Sequence, residues 1–207
     1  MEMLVVVAVI GVASAIALPK LLGTGQLIAS AGLQREIMAH LRFARQQAMS
    51  QRSVVTFRYD DSTKLITVIN HNETGITFNP LTNSMVLLPN IVAASADVVP
   101  DTIVERYSLP KLGVAAADIK LGRPSGASTA ALTDGVQMVT NVPNSIINIT
   151  FQPDGSVVNA LNQPLARSLF IYNQKIEPNT AFAISVLGTT GRIKLWRYSD
   201  NAKIYVE

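Results

Sequence analysis

Glu2-Met-Leu-Val-Val-Val-Ala-Val-Ile-Gly-Val-Ala-Ser-Ala-Ile-Ala-Leu-Pro19 decides how the rest of this chain is read. From Met3 to Leu18 there is no charge and nothing more polar than Ser14. Glu2 heads the run, Pro19 closes it and Lys20 follows. A lone acid at the start of an apolar helix is expensive to desolvate and is retained where it has a partner. As a helix, Met1 to Leu22 would be about 33 Å long, enough to cross a bilayer core of about 30 Å. A secretory signal peptide would begin with basic residues and end at a small-residue cleavage site. Ala15-Ile16-Ala17 resembles such a site, but the start is acidic and the basic residue follows the core. A simple membrane anchor is the other alternative; Lys20 beyond the run sits against the positive-inside trend for it.

The run resembles the N-terminal helix of type IV pilins and of the pseudopilins of type II secretion. Glu2, Gly11 and Ala15-Ile16-Ala17-Leu18-Pro19 fall on that family's positions in order and at its spacing. The resemblance implies that Glu2 pairs with the N-terminal amine of a neighbouring subunit during filament assembly. It also marks Gly11 and Pro19 as assembly positions. Glycine costs about 1 kcal/mol and proline about 3 kcal/mol in a helix, so the stretch between them is the place to kink or unwind as subunits pack. The family's processing site lies a few residues ahead of the glutamate, so a leader is expected upstream of this sequence.

Outward from the run, Gly23-Thr24-Gly25 is a soft patch, and a second helical pattern spans Leu27 to Gln51. Leu33, Ile37, Leu41, Ala44 and Ala48 recur at three and four residues, which predicts one apolar stripe facing a core. Arg35, Arg42, Arg45 and Arg52 lie off that stripe, toward solvent or neighbouring subunits. The chain then turns to β patterns. Val54–Tyr59 and Leu65–Asn70 predict a hairpin around Asp60-Asp61-Ser62-Thr63. Ile146–Gln152 and Ser156–Ala160 predict another around Pro153-Asp154-Gly155. Leu169–Asn173 is a strand. Ala181–Leu187 and Arg192–Tyr198 form a third hairpin through Gly188–Gly191, with a final strand over Ala202–Val206. Residues 72–140 read as a variable insertion, and Gly122–Gly135 as loop. The expected layout is α+β: a long N-terminal helix packed on an antiparallel sheet. Residues 1–26 are its protruding, filament-core half, and 27–207 are a globular head with helix 27–52.

Three local patterns narrow the resemblance to the GspH/FimT-like group. They are Ala44-Arg45-Gln46-Gln47-Ala48 before a strand, Phe151-Gln152-Pro153-Asp154-Gly155, and Gly191-Arg192-Ile193-Lys194. That group implies a filament subunit with the inner membrane, a prepilin peptidase and an assembly machinery as partners. Its final location is an extracellular pilus or a periplasmic pseudopilus. Some members are minor pilins that bind DNA, which makes Arg192, Lys194, Trp196 and Arg197 candidates here. On an extended strand Arg192, Lys194, Trp196 and Tyr198 share one face, two cations and two aromatics suited to phosphate and bases.

The composition suits this reading. The 207 residues are 48% hydrophobic and 15% charged, a low-charge surface fit for burial in a polymer. The absence of cysteine excludes zinc–thiolate sites. A net charge of +3 does not by itself imply nucleic acid. No Gly-x-Ser-x-Gly elbow, P-loop or His-Glu-x-x-His occurs, and His40 and His71 lack a partner pattern nearby. Gly23-Thr24-Gly25 has no third glycine and no strand before it, so it is not a dinucleotide loop. Neither a cofactor nor an enzymatic activity is expected.

Overall fold

The computed structural model describes residues 28–72, 78–79, 84–85, 101–109, 114–128, 132–134, 145–158, 163–178 and 180–207. Glu2, Gly11 and Pro19 lie outside these residues, as does much of the 72–140 insertion.

Residues 28–51 are helical (α1). The apolar stripe does what its spacing predicts: Leu33 is 2% exposed, and Ile37, Leu41, Ala44 and Ala48 are fully buried. Helix α1 ends on Arg52, whose φ of 52° is left-handed, while the Ser53 N–H bonds back to the Ala48 carbonyl at 3.2 Å. This closes the last turn with an arginine where glycine is the usual residue. No described helix is long and apolar enough to cross a membrane.

Two antiparallel sheets face α1. The first has the order β5-β2-β1-β7, with β1 at Val55–Asp60, β2 at Leu65–Asn70, β5 at Thr102–Ser108 and β7 at Ile146–Phe151. The second has the order β11-β10-β9-β8-β6, from β6 (Ile119–Leu121), β8 (Arg167–Asn173), β9 (Phe182–Val186), β10 (Ile193–Ser199) and β11 (Ile204–Val206). A two-stranded ribbon, β3 (Phe78–Asn79) with β4 (Ser84–Met85), stands apart. The single expected sheet is therefore two. The 72–140 stretch is not merely an insertion, because it supplies an edge strand to each: β5 beside β2, and β6 beside β8.

Alternation along the strands shows how one core serves both sheets. Val55, Phe57 and Tyr59 of β1, Ile149 and Phe151 of β7, and Phe182, Ile184 and Val186 of β9 join the stripe of α1 in a single cluster. Their neighbours point the other way, as a period of two requires. On the second sheet those neighbours build a smaller core of Leu132, Phe170, Ala183, Trp196 and Tyr205.

The predicted hairpins at β1–β2 and β9–β10 form in register, with Val55 opposite Asn70 and Ile193 opposite Val186. The middle hairpin is corrected. Among the described residues after β7 the chain makes isolated bridges, Phe151 with Val157 and Val158 with Pro164, in place of a regular strand, although β7 ends its sheet and has β1 on one side alone; residues 159–160 of the expected strand lie outside the described residues.

Candidate functional site

The three sequence patterns that carry the family resemblance meet at one place. Arg45 leaves α1 one residue after the buried Ala44 and reaches the tips of two turns. Its Nη2 donates to the Thr190 carbonyl at 2.9 Å and its Nε to the Gly155 carbonyl at 3.4 Å. Gly155 and Gly191 both have positive φ, 81° and 59°. A Cβ on Gly191 would run into the Gly155 carbonyl oxygen, and one on Gly155 would lie 2.9 Å from Met49 Sδ. The left-handed backbone favours glycine at both positions, and at Gly191 the approach of the Gly155 backbone requires it as well. Helix α1, the β7 turn and the β9–β10 turn are thus fastened to each other by one guanidinium. Arg45, expected to face solvent or neighbouring subunits, is a structural clasp within the chain.

The residues expected to grip nucleic acid are not assembled into one surface. Trp196 is 1% exposed, in the small core behind the second sheet. Its indole N–H donates to the Ser185 hydroxyl at 2.8 Å, which in turn donates to Asp134 Oδ2 at 2.6 Å. No face of the ring is open to stack on a base. Lys194 lies over that ring at 5.1 Å and pairs with Glu207 at 2.9 Å. Arg197 shares the face of Ile193 and Leu195, opposite to Trp196, on the side of β10 toward α1. Arg192 is exposed at the start of the strand. Tyr198 packs against Tyr205 with ring centroids 5.2 Å apart.

Both histidines have partners that local spacing does not show. His71 Nδ1 is 2.9 Å from Asp101 Oδ1, and its Nε2 is 2.7 Å from Thr56 Oγ1, which lies 2.9 Å from Thr150 Oγ1. An acid, an imidazole and a hydroxyl in sequence is the order used for nucleophile activation. Thr56, however, is 1% exposed and faces the neighbouring strand. The network is a brace: together with the Asn72 amide donating to Thr102 Oγ1 at 2.9 Å, it joins the end of β2 to the start of β5. His40, on α1, lies 3.2 Å from Glu105 and 3.5 Å from Glu36, with the Tyr107 ring at 4.8 Å. That arrangement ties α1 to β5. Glu105 is 65 residues from His40 in the chain, so no short motif announces the contact.

Two Asx turns share one geometry. In the β1–β2 turn, Asp60 Oδ1 accepts from the Ser62 N–H at 2.9 Å and the Ser62 hydroxyl at 2.6 Å. In the turn after β7, Asp154 Oδ1 accepts from the Ser156 N–H at 2.8 Å and the Ser156 hydroxyl at 2.6 Å. The hydrogen bond from the Ser156 side chain, helped by its backbone N–H, holds the Asp154 carboxyl below its usual value. At Asp60, partial burial pushes upward but the bonds from Ser62 and Thr63 outweigh it, and the net shift is also downward. These carboxylates are committed to their turns. No group of three or more metal-ligating side chains occurs among the described residues.

No family model and no curated protein matches the chain. Among solved structures, it is similar to the type IV minor pilin FimU of Pseudomonas aeruginosa. The two are 18% identical over 81% of this chain and 84% of that one, with a TM-score of 0.41. It is similar as well to the minor pseudopilin EpsH from the type 2 secretion system of Vibrio cholerae, at 13% identity over 83% of this chain and 99% of that one, with a TM-score of 0.40.

Proposed function

We propose that this chain is a structural subunit of a type IV pilus or pilus-like filament, polymerising through its apolar N-terminal run. The observation that carries the proposal is the meeting of the three patterns at Arg45. Segments far apart in the chain, selected only for their local resemblance to the pilin group, are one physical unit. Such a coincidence is expected if they were retained to hold a head of that kind together. The Glu2-headed run supplies the polymerising element. The partners are further copies of the chain, an inner-membrane assembly machinery and a prepilin peptidase. The location is the inner membrane before assembly and an extracellular or periplasmic filament afterwards.

Glu2→Ala tests the proposal. A carboxylate that meets its counter-charge only in the polymer favours the polymer over the free subunit. The expected outcome is normal membrane insertion with filament yield reduced at least about tenfold, a difference of about 1.4 kcal/mol per subunit contact. Unchanged filament yield would overturn it. The abundance of the chain in sheared filaments then separates a main subunit from a minor pilin or pseudopilin.

A further inference from the structure

His40 sits where α1 meets β5, the edge strand that the 72–140 stretch lends to the first sheet. The residue is 6% exposed, and both of its ring nitrogens look at carboxylates. Nδ1 is 3.2 Å from Glu105 of β5, and Nε2 is 3.5 Å from Glu36, one turn back on α1. Nε2 is buried and makes no hydrogen bond among the described residues. Tyr107 of β5 forms the third wall: its ring centroid lies 4.8 Å from that of His40, and its hydroxyl bonds to Glu36. Glu36, Glu105 and Tyr107 are the titratable groups that face the ring from the two elements. Among the described residues neither carboxylate pairs with a lysine or an arginine.

A neutral imidazole has one N–H and one bare lone pair. Whichever tautomer forms, one carboxylate then faces a lone pair, and two negative charges flank a ring that carries none. A second proton gives each nitrogen a hydrogen to direct at its own carboxylate. We propose that His40 is a proton-operated latch: the imidazolium fastens β5 to α1 through Glu105 and Glu36, and loss of its proton loosens that edge of the head. Burial opposes a charge on the ring, and charge-assisted bonds on both sides together with the Tyr107 face offset it. Glu36 and Glu105 are 35% and 39% exposed, which gives the proton a route between solvent and ring. The charged ring is the form that gains partners on folding, so the latch is closed in mild acid and opens as pH rises. His71 is not built this way. It faces one carboxylate, Asp101, and its other nitrogen meets the Thr56 hydroxyl, which donates or accepts as required. A neutral ring satisfies both of those partners.

The test is amide hydrogen exchange on the full chain in nonionic detergent, at about pH 5.5 and about pH 7.5, with each rate divided by that of the unstructured chain at the same pH. Amides of β1, inside the same sheet, are the internal reference for those of β5. Protection of β5 is expected to fall about fivefold or more from the lower pH to the higher, with β1 changing less. His40→Gln should abolish that difference, and Glu105→Gln and Glu36→Gln, which each leave one nitrogen opposite a neutral amide, should shrink it. Should His40→Gln fail to fold, the two glutamine variants at half-exposed positions carry the same test. Equal changes in β5 and β1, or none in either, would overturn the proposal. A pH response kept in full by His40→Gln, or left intact by both glutamate variants, would assign it to other groups and overturn it equally.

Discussion

A single missing Cβ at Gly191 lets two turns touch. The position has φ of 59° and the Gly155 carbonyl oxygen occupies the space a side chain would take. Gly191→Ala therefore adds left-handed strain to a clash with backbone, which cannot rotate aside as a side chain can. The expected loss is about 2–4 kcal/mol, read as a shift in chemical-denaturation midpoint. Gly122→Ala is the control: φ is 131° there, but nothing lies within 4 Å of the added carbon. It should cost less, since only the conformational strain applies. The glycines are visible in the sequence as turn residues. That Gly191 abuts Gly155, 36 positions earlier, is not, because close approach is a property of folded turns rather than of either tripeptide.

At the scale of elements, each turn and cap carries its own local chemistry. Helix α1 closes with Arg52 in the left-handed region, with the side chain exposed. Arg52→Gly removes that strain and should raise stability by about 0.5–1 kcal/mol, measured by thermal unfolding. Asp154 is held below the ordinary carboxylate value of 3.8 by the bonds of its Asx turn. A depressed folded-state pKa means the turn's contribution is fully present above the unfolded value. It is lost as pH falls through the lower folded value. Asp154→Asn should therefore lower the unfolding midpoint at neutral pH, where the carboxylate's contribution is present, and flatten the fall of the midpoint below about pH 4, so that the difference from the parent shrinks in acid. The hairpins were legible because turn residues and alternation are local signals. The described part of the expected strand over Ser156–Ala160 makes isolated bridges instead of a regular ladder: alternation marks a strand but does not say how many of its residues will find a partner.

For the molecule as a whole, α1 divides into a buried stripe and an open face. Ile28 is 68% exposed, and Gly32, one turn on, would meet nothing within 4 Å if it carried a Cβ. Gly32→Ala should stabilise the free subunit by about 0.5–1 kcal/mol through helix propensity. In the proposed filament this face is where a neighbouring helix fits closely, so the same variant should assemble less well. Equal assembly with higher stability would place the contact elsewhere on α1. Filament yield and thermal midpoint measured on one preparation separate the two effects.

The α+β class, the stripe of Leu33, Ile37, Leu41, Ala44 and Ala48, and most of the strands were legible before folding was considered, because helical and extended periodicities are written in consecutive residues. The same alternation placed Trp196 and Lys194 on one face of their strand. That this face is interior depends on how the sheet is covered in the folded chain. Trp196 is buried with Phe170, Ala183 and Leu132, residues up to 64 positions away, and no local pattern records which side of a sheet will be covered. For the same reason the division into two sheets, the strands drawn from 72–140 and the clasp at Arg45 emerged only on folding. Each depends on contacts between distant segments, whose pairing is set by the packing of the whole core.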